Sequence, residues 1–237
     1  GGFYYGEDYN FIVYGQENPN EDDNCEVIRV VSYTKDWKRV DSTSLYGADT
    51  TIPFWAGSLR FAEFNGYLYI RTAHEMYTSD DGLNHQANLT MNVRIADMEI
   101  AYSSYAVSNI GHGYVSHSFN QFIGVDGNKL VAVDHGDAYP RSVVMVKYRA
   151  PAGQDSYMKG ELVYIGDGYY TYVYSDAVDV LPIAGEIGHN DTGVSLGGFE
   201  ISGSSYLVVG ATSAQGDAYD PYGQRNIFIT VTDKNNF

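Results

Sequence analysis

The sequence contains a single cysteine, Cys25, among its 237 residues. An internal disulfide is therefore excluded, and so is a zinc site of the CxxC type. Long apolar runs are also missing, since no segment approaches the roughly 20 residues that a membrane-spanning helix requires. Apolar residues at helical spacing are rare, whereas alternation of apolar and polar residues is common along the chain. These absences predict an all-β protein that does not insert into a membrane.

Basic residues are scarce: 14 Lys and Arg oppose 30 Asp and Glu, which gives a formal net charge of −16. Such a charge excludes nucleic acid as a partner, because the phosphates would be repelled. An acidic balance keeps a protein soluble and often accompanies extracellular life or calcium binding. We therefore predict no cofactor, with calcium as the alternative that the many carboxylates leave open. The chain begins Gly-Gly-Phe, without an initiator Met or a signal peptide, so we expect a processed or excised part of a longer protein.

Common enzyme signatures are absent as well. The sequence has no glycine-rich phosphate loop, no HExxH and no Gly-x-Ser-x-Gly elbow. A pair of carboxylates that hydrolyses a glycosidic bond has no comparable sequence motif, because the distance between the two groups depends on the fold. Glycan hydrolysis therefore stays open as an alternative to a non-enzymatic role.

What the sequence does contain is an internal repeat, together with 23 Tyr and 26 Gly. Ile110-Gly111-His112 recurs as Ile187-Gly188-His189, and Gly136-Asp137-Ala138-Tyr139 recurs as Gly216-Asp217-Ala218-Tyr219, at nearly equal separations. Alternating strands joined by Asp-Gly and Asn-Gly turns surround these motifs. The repeat predicts one β-propeller-like domain over 1–237, an array of about four four-stranded antiparallel blades. A β-sandwich is the alternative, although it does not explain loop motifs that recur in register with the strands.

The predicted units span about 1–50, 51–108, 109–185 and 186–237. Unit three takes its fourth strand from residues 160–165, and residues 169–185 form an added hairpin or lid. Unit four ends after its third strand, and no terminal segment is available to complete it. The ring is therefore either closed in an unusual way or part of a larger assembly.

The six histidines mark one face of the predicted array, because all fall in or beside loops that emerge on the same side of a propeller. Three of them precede a first strand and three lie between second and third strands: His112, His117 and His189, and His74, His85 and His135. The loop 135–141 adds a carboxylate and a guanidinium, a combination that suits a sugar or a carboxylate ligand. We predict ligand-binding residues His112, His117, Asn120, Gln121, His135, Asp137, Tyr139, Arg141, Arg71 and His74.

Two other interpretations of these residues stay open. The repeated Gly-Asp-Ala-Tyr loops suit a structural staple, in which Asp137 accepts backbone N–H bonds while Tyr139 packs between blades. A zinc site of His112, His117 and His135 is not favoured, since no tight spacing supports it. We therefore assign no catalytic residue and no metal ligand.

The segment from Thr78 to His85, with Asp80, Asp81 and Gly82 at its centre, resembles the Asp-box of sialidase-like propellers. It departs from that pattern in ending on His85 instead of an aromatic residue, and in lying between the second and third strands. With the repeated loops, it makes the chain similar to secreted or surface-anchored bacterial β-propeller repeat proteins. The resemblance implies an extracellular or cell-surface location.

The resulting hypothesis is a non-enzymatic extracellular module that binds a glycan or a surface protein on the histidine-bearing loop face. A sialidase-like hydrolase is the first alternative, and it requires that Arg60, Arg71 and Arg141 converge beside a carboxylate. A structural spacer of a surface protein is the second alternative.

Overall fold

The computed structural model describes residues 1–55, 57–105, 120–136, 141–153, 161–166, 168–186, 188–214 and 223–237. Every regular element in these ranges is a β-strand, apart from one 3₁₀ turn at Lys234–Asn236. The predicted all-β class is thus confirmed. In the same ranges, no helix has the length and apolar character needed to cross a bilayer.

The first sheet is an antiparallel meander of four strands in chain order: β1 (Gly2–Tyr5), β2 (Asn10–Gly15), β3 (Glu26–Tyr33) and β4 (Arg39–Tyr46). The fourth strand begins at Arg39. Trp37 is excluded because it adopts a positive φ of 66° in a turn, where its N–H donates to the Thr34 carbonyl.

The second sheet contains five strands: β5 (Thr50–Pro53), β6 (Arg60–Phe64), β7 (Tyr67–Thr78), β8 (Asn84–Arg94) and β9 (Glu99–Ser104). The two short strands β5 and β6 pair with different halves of the long strand β7. Because β7 and β8 extend beyond the predicted strands, His74 and His85 lie within strands and not in a loop.

The third sheet orders β10 (Gln121–Asp126), β11 (Lys129–Gly136) and β12 (Ser142–Pro151) as a meander. Its fourth strand is β15 (Ser175–Pro182), which pairs with β12. The fourth strand predicted over 160–165 was therefore wrong.

That predicted strand instead forms β13 (Glu161–Gly166), which pairs with β14 (Tyr169–Val173) as a separate hairpin. The added hairpin was expected over 169–185, so the two roles are exchanged. Both segments alternate, and alternation alone does not choose between them. The sheet takes β15, whose Val180 and Leu181 pack against the apolar core shared with the fourth sheet.

The fourth sheet contains three strands, β16 (Ser195–Ser202), β17 (Ser205–Ser213) and β18 (Arg225–Asp233). No fourth strand joins it within the described ranges, in agreement with the predicted end of the unit after its third strand. Gly203, with a φ of 52°, makes the tight turn between β16 and β17.

The sheets stack in chain order through three apolar cores. Phe11 and Val30 of the first sheet meet Leu68 and Met91 of the second. Tyr69 of the second sheet meets Leu130, Val144 and Tyr148 of the third. Val131, Val133 and Met145 of the third meet Tyr206 and Val208 of the fourth. Among the described residues, no such core joins the fourth sheet to the first, and no sheet closes on itself.

Candidate functional site

One strand from each of the last three sheets, β6, β10 and β16, begins next to the other two, and the Asn120 side chain connects the three. Its Oδ1 accepts hydrogen bonds from Arg60 Nη2, at 2.9 Å, and from the Ser58 hydroxyl. Its Nδ2 donates to the Leu196 carbonyl at 2.9 Å. One amide therefore holds the starts of β6, β10 and β16 together. We call Ser58, Arg60 and Asn120 the strand-start cluster.

Arg60 is the only charged member of this cluster, and it is half-buried. Its Nε donates to the Gln121 carbonyl at 3.0 Å, and its guanidinium carbon lies 4.5 Å from the centre of the Phe122 ring. Burial lowers the pKa of Arg60, but an arginine remains charged at any physiological pH. Its Nη1 makes no hydrogen bond to a described residue, so two N–H donors remain for a ligand.

The end of β11 adjoins the strand-start cluster. The His135 N–H donates to the Asn120 carbonyl at 3.2 Å, so the start of β10 and the end of β11 lie on the same side of the third sheet. The His135 side chain is buried. On this side, Arg141 is half-exposed, and its Nη2 donates to the carbonyls of Ala184 and His189 in the loop before β16.

Arg71 and Gln121 lie deeper, between the second and third sheets. Arg71 is fully buried, and its guanidinium forms two parallel hydrogen bonds with the Asp134 carboxylate, of which Nε–Oδ1 measures 2.9 Å. Arg71 Nη1 also lies 3.4 Å from the Tyr148 hydroxyl, and burial raises the pKa of Tyr148 to about 12. Gln121 Nε2 donates to Asn88 at 3.1 Å, whereas its buried Oε1 accepts no hydrogen bond.

His74 lies in a different interface, between the first and second sheets. Its Nε2 is 2.8 Å from the Tyr105 carbonyl and its Nδ1 is 2.8 Å from the Thr50 hydroxyl. Because a carbonyl only accepts, Nε2 carries a proton. The Thr50 hydroxyl also lies 2.8 Å from the Ala48 carbonyl, so beside a neutral ring its single proton is shared between that carbonyl and Nδ1. Burial lowers the pKa of His74 to about 4, so the ring is neutral at physiological pH.

The predicted site residues therefore fall into three places. Asn120, Gln121, His135 and Arg71 lie together around the start of β10. Arg141 binds carbonyls of the loop before β16. His74 belongs to neither group. The other four lie outside the described residues: His112, His117, Asp137 and Tyr139.

Sequence analysis missed two functional candidates. Ser58 precedes β6 as Asn120 precedes β10, and that shared position was the available signal. Asp134 follows the apolar run 130–133, and its register position faces the second sheet. A charged residue at a core-facing strand position indicates a buried partner.

A cleft of about 400 Å³ lies near the opposite end of the third sheet and is lined by Lys129, Lys147, Tyr148, Arg149 and Asp176. Its three cations have partners within the chain. Arg149 pairs with Asp176 at 2.6 Å, Lys147 lies 3.7 Å from Asp126, and Lys129 donates to the Arg149 carbonyl. We therefore assign these cations to sheet packing.

The three arginines required by a sialidase-like site occupy three different settings. Arg60 binds Asn120, Arg71 is paired with a buried carboxylate, and Arg141 binds backbone carbonyls. Within the described part of the chain, no group of three or more His, Cys, Asp or Glu side chains is placed to hold a metal ion. The Asp-box-like segment forms a turn, in which Asp81 Oδ1 accepts from the Leu83 N–H at 3.0 Å.

Comparison with known proteins found no protein-family model that matches the chain, and no curated protein matches it.

Proposed function

We propose that this protein is a non-enzymatic binding module that captures a glycan on the face where β6, β10 and β16 begin. The architecture we infer is a propeller-type array of four blades. Three features support a propeller over a two-layer sandwich: the first and fourth sheets are meanders, successive sheets stack in chain order, and β10 lies against both β6 and β16. The acidic composition and the single cysteine fit an extracellular or cell-surface location.

The observation that carries the proposal is the strand-start cluster. Arg60 presents Nη1 donors at a half-exposed position, while its Nε and Nη2 are fixed by backbone and amide oxygens. A guanidinium held in one orientation loses little entropy when it binds a ligand. Its donors suit the hydroxyl oxygens of a sugar and, more strongly, a sugar carboxylate. Arg141, also half-exposed, lies on the same side of the third sheet and extends this polar face.

The hydrolase alternative receives less support from the same geometry. Arg71 has no exposed surface and its guanidinium is engaged by Asp134, so binding a substrate carboxylate there would require breaking a buried ion pair. A spacer without a ligand would not require an arginine with unused donors at this face, although it is compatible with the sheets themselves.

The test is a screen of an array of neutral and acidic glycans with the parent and three variants. Arg60→Gln and Arg141→Gln alter the proposed face. Arg94→Gln is the matched control, because Arg94 pairs with Asp97 and Glu99 at the other end of the second sheet. We expect Arg60→Gln to weaken binding at least about tenfold, or 1.4 kcal/mol, while Arg94→Gln binds like the parent. Thermal melts establish that each variant is folded.

Equal binding by the parent and Arg60→Gln would contradict the proposed site. Failure of the parent to bind any glycan would favour a protein partner or a spacer. Release of free sugar from a bound glycan would overturn the non-enzymatic assignment.

A further inference from the structure

The outward face of the first sheet is aromatic and exposed. Phe3, Tyr5, Tyr14 and Trp37 retain 51%, 71%, 43% and 53% of their accessible surface. All lie opposite the face that packs on the second sheet, as the register shows for Phe3, which pairs with Ile12. We call these four residues the aromatic end face. A contiguous apolar patch of this kind usually marks an interaction surface.

The aromatic end face is held in a fixed arrangement. The rings of Phe3 and Trp37 stack with their centroids 5.5 Å apart, and the centroid of the Tyr33 ring lies 5.8 Å from that of Trp37. Trp37 maintains this position with a φ of 66°, which costs an L-residue free energy. The Lys35 ammonium lies 3.5 Å from the centre of the Tyr5 ring. A strained backbone conformation at Trp37 therefore holds the exposed rings in this arrangement.

The outward face of the fourth sheet is aliphatic and exposed. Ile227, Ile229 and Val231 of β18 retain 78%, 63% and 62% of their accessible surface. Each pairs in register with an apolar residue of β17, namely Ala211, Val209 and Leu207. These residues face away from the core that Tyr206 and Val208 share with the third sheet. We call Ile227, Ile229 and Val231 the aliphatic end face.

The two end faces have opposite positions in the stack. We call the face of a sheet that is directed toward the next sheet in the chain its forward face, and the opposite face its backward face. In each internal interface, the forward face of one sheet packs against the backward face of the next, as Phe11 of the first sheet does against Leu68 of the second. The aliphatic end face is the unused forward face of the last sheet. The aromatic end face is the unused backward face of the first. Contact between them would therefore repeat the internal packing.

Charge also distinguishes the two faces. The exposed Arg39 and the half-exposed Arg29 lie on the aromatic side of the first sheet, where Arg39 pairs with Tyr33 and Arg29 with Tyr14. Because Glu26 neutralises Arg29 at 2.5 Å, the positive charge of this side comes from Arg39 and from the Lys35 ammonium beside Tyr5. On the aliphatic side of the fourth sheet, the exposed Glu200, Asp233 and Arg225 leave one net negative charge. In a chain with only 14 basic residues, this distribution favours contact between unlike faces and disfavours self-contact.

We propose that a second copy of this chain covers both end faces, so that two copies join head to tail in a closed ring of eight sheets. The aliphatic end face of each copy packs on the aromatic end face of the other. If the four sheets of one chain closed into a ring, the two end faces would cover each other and would not be this exposed. Association of like faces would bring Arg39 against its own symmetry mate and leave one end uncovered. Eight sheets fall within the usual four to eight of closed propellers.

The test is sedimentation velocity of the purified chain over a concentration series. Ile229→Glu alters the aliphatic end face, Trp37→Glu alters the aromatic end face, and Leu83→Glu is the control on an exposed turn away from both. Parent and Leu83→Glu are expected at twice the mass of one chain, and each end-face variant at the mass of one chain. Thermal melts distinguish a folded monomer from an unfolded variant.

Mixing the two end-face variants provides the decisive step. One contact in the mixed pair is unaltered, because the aliphatic end face of Trp37→Glu meets the aromatic end face of Ile229→Glu. We expect a dimer to return at higher concentration in this mixture alone. A parent that stays monomeric overturns the proposal. So does a dimer broken by only one of the two variants, or a mixture without recovery, since each indicates a different contact.

Discussion

Arg71 of β7 and Asp134 of β11 form a doubly hydrogen-bonded ion pair that is shielded from solvent and joins the second sheet to the third. Removing two charges from water costs several kcal/mol per ion, which their attraction must offset. The pair therefore contributes less to stability than to the positioning of the two sheets. Any displacement of one sheet along the other would leave a buried charge without its partner.

Asp134→Asn should destabilise the protein by about 3–5 kcal/mol, because it leaves the Arg71 charge buried without a counter-ion. The double variant Arg71→Met, Asp134→Leu should recover most of that loss, since neither charge remains. Urea denaturation of the parent, Arg71→Met, Asp134→Leu and the double variant measures the coupling. A single variant that costs less than about 1 kcal/mol would show that the pair behaves like an exposed one.

Acid should destabilise the protein through His74. Burial holds its pKa at about 4 in the folded state, below the ordinary value of 6.5, so the unfolded chain binds the proton more readily. The contribution of the neutral His74 ring to the free energy of unfolding is fully present above pH 6.5. It declines by up to about 3 kcal/mol as the pH falls towards 4.

His74→Gln removes this titration. We expect it to be less stable than the parent at neutral pH and to lose less stability between pH 6.5 and 4, measured by denaturant unfolding at each pH. Parallel pH profiles for the parent and His74→Gln would contradict a neutral buried imidazole.

Gly57 should not tolerate alanine. A Cβ at this position would lie 2.7 Å from the Ala73 Cβ and 3.0 Å from Gln121 Oε1, closer than packed atoms approach. Gly57→Ala should therefore cost about 1–3 kcal/mol through overpacking. Gly153→Ala is the matched control, because its Cβ would have no atom of a described residue nearer than 4.0 Å. Thermal melts that are equal for both variants would indicate that β7 and β10 are less tightly packed than described.

The Asp-Gly and Asn-Gly turns were predicted to join strands, and they do so between β10 and β11 and between β6 and β7, because turn chemistry acts locally. The sequence pattern failed at β15, since β13 and β15 have similar patterns and only long-range packing selects between them. It also placed His74 in a loop, because the polar residues of β7 resemble loop residues when their buried partners are unknown.

The candidate site was predicted only in part, because some of its contacts join residues that are far apart in the sequence. Asn120 was predicted to contribute to a polar pocket, and the structure places it directly before β10. Arg71 was expected beside a ligand, whereas it lies in an ion pair with Asp134, a residue far away in the sequence. Pairing across two sheets is a property of the folded chain, and a single sequence carries no direct record of it.

The most direct test of the proposed binding face is an NMR titration of the backbone amides with a glycan that the array identifies. We predict that the largest shift changes map to Ser58, Arg60, Asn120 and Arg141, while amides near Lys129 and on both end faces stay unchanged. Arg60→Gln should reduce these shift changes at the same glycan concentration. Shift changes centred on the Lys129 end of the third sheet, or on Trp37, would contradict the account.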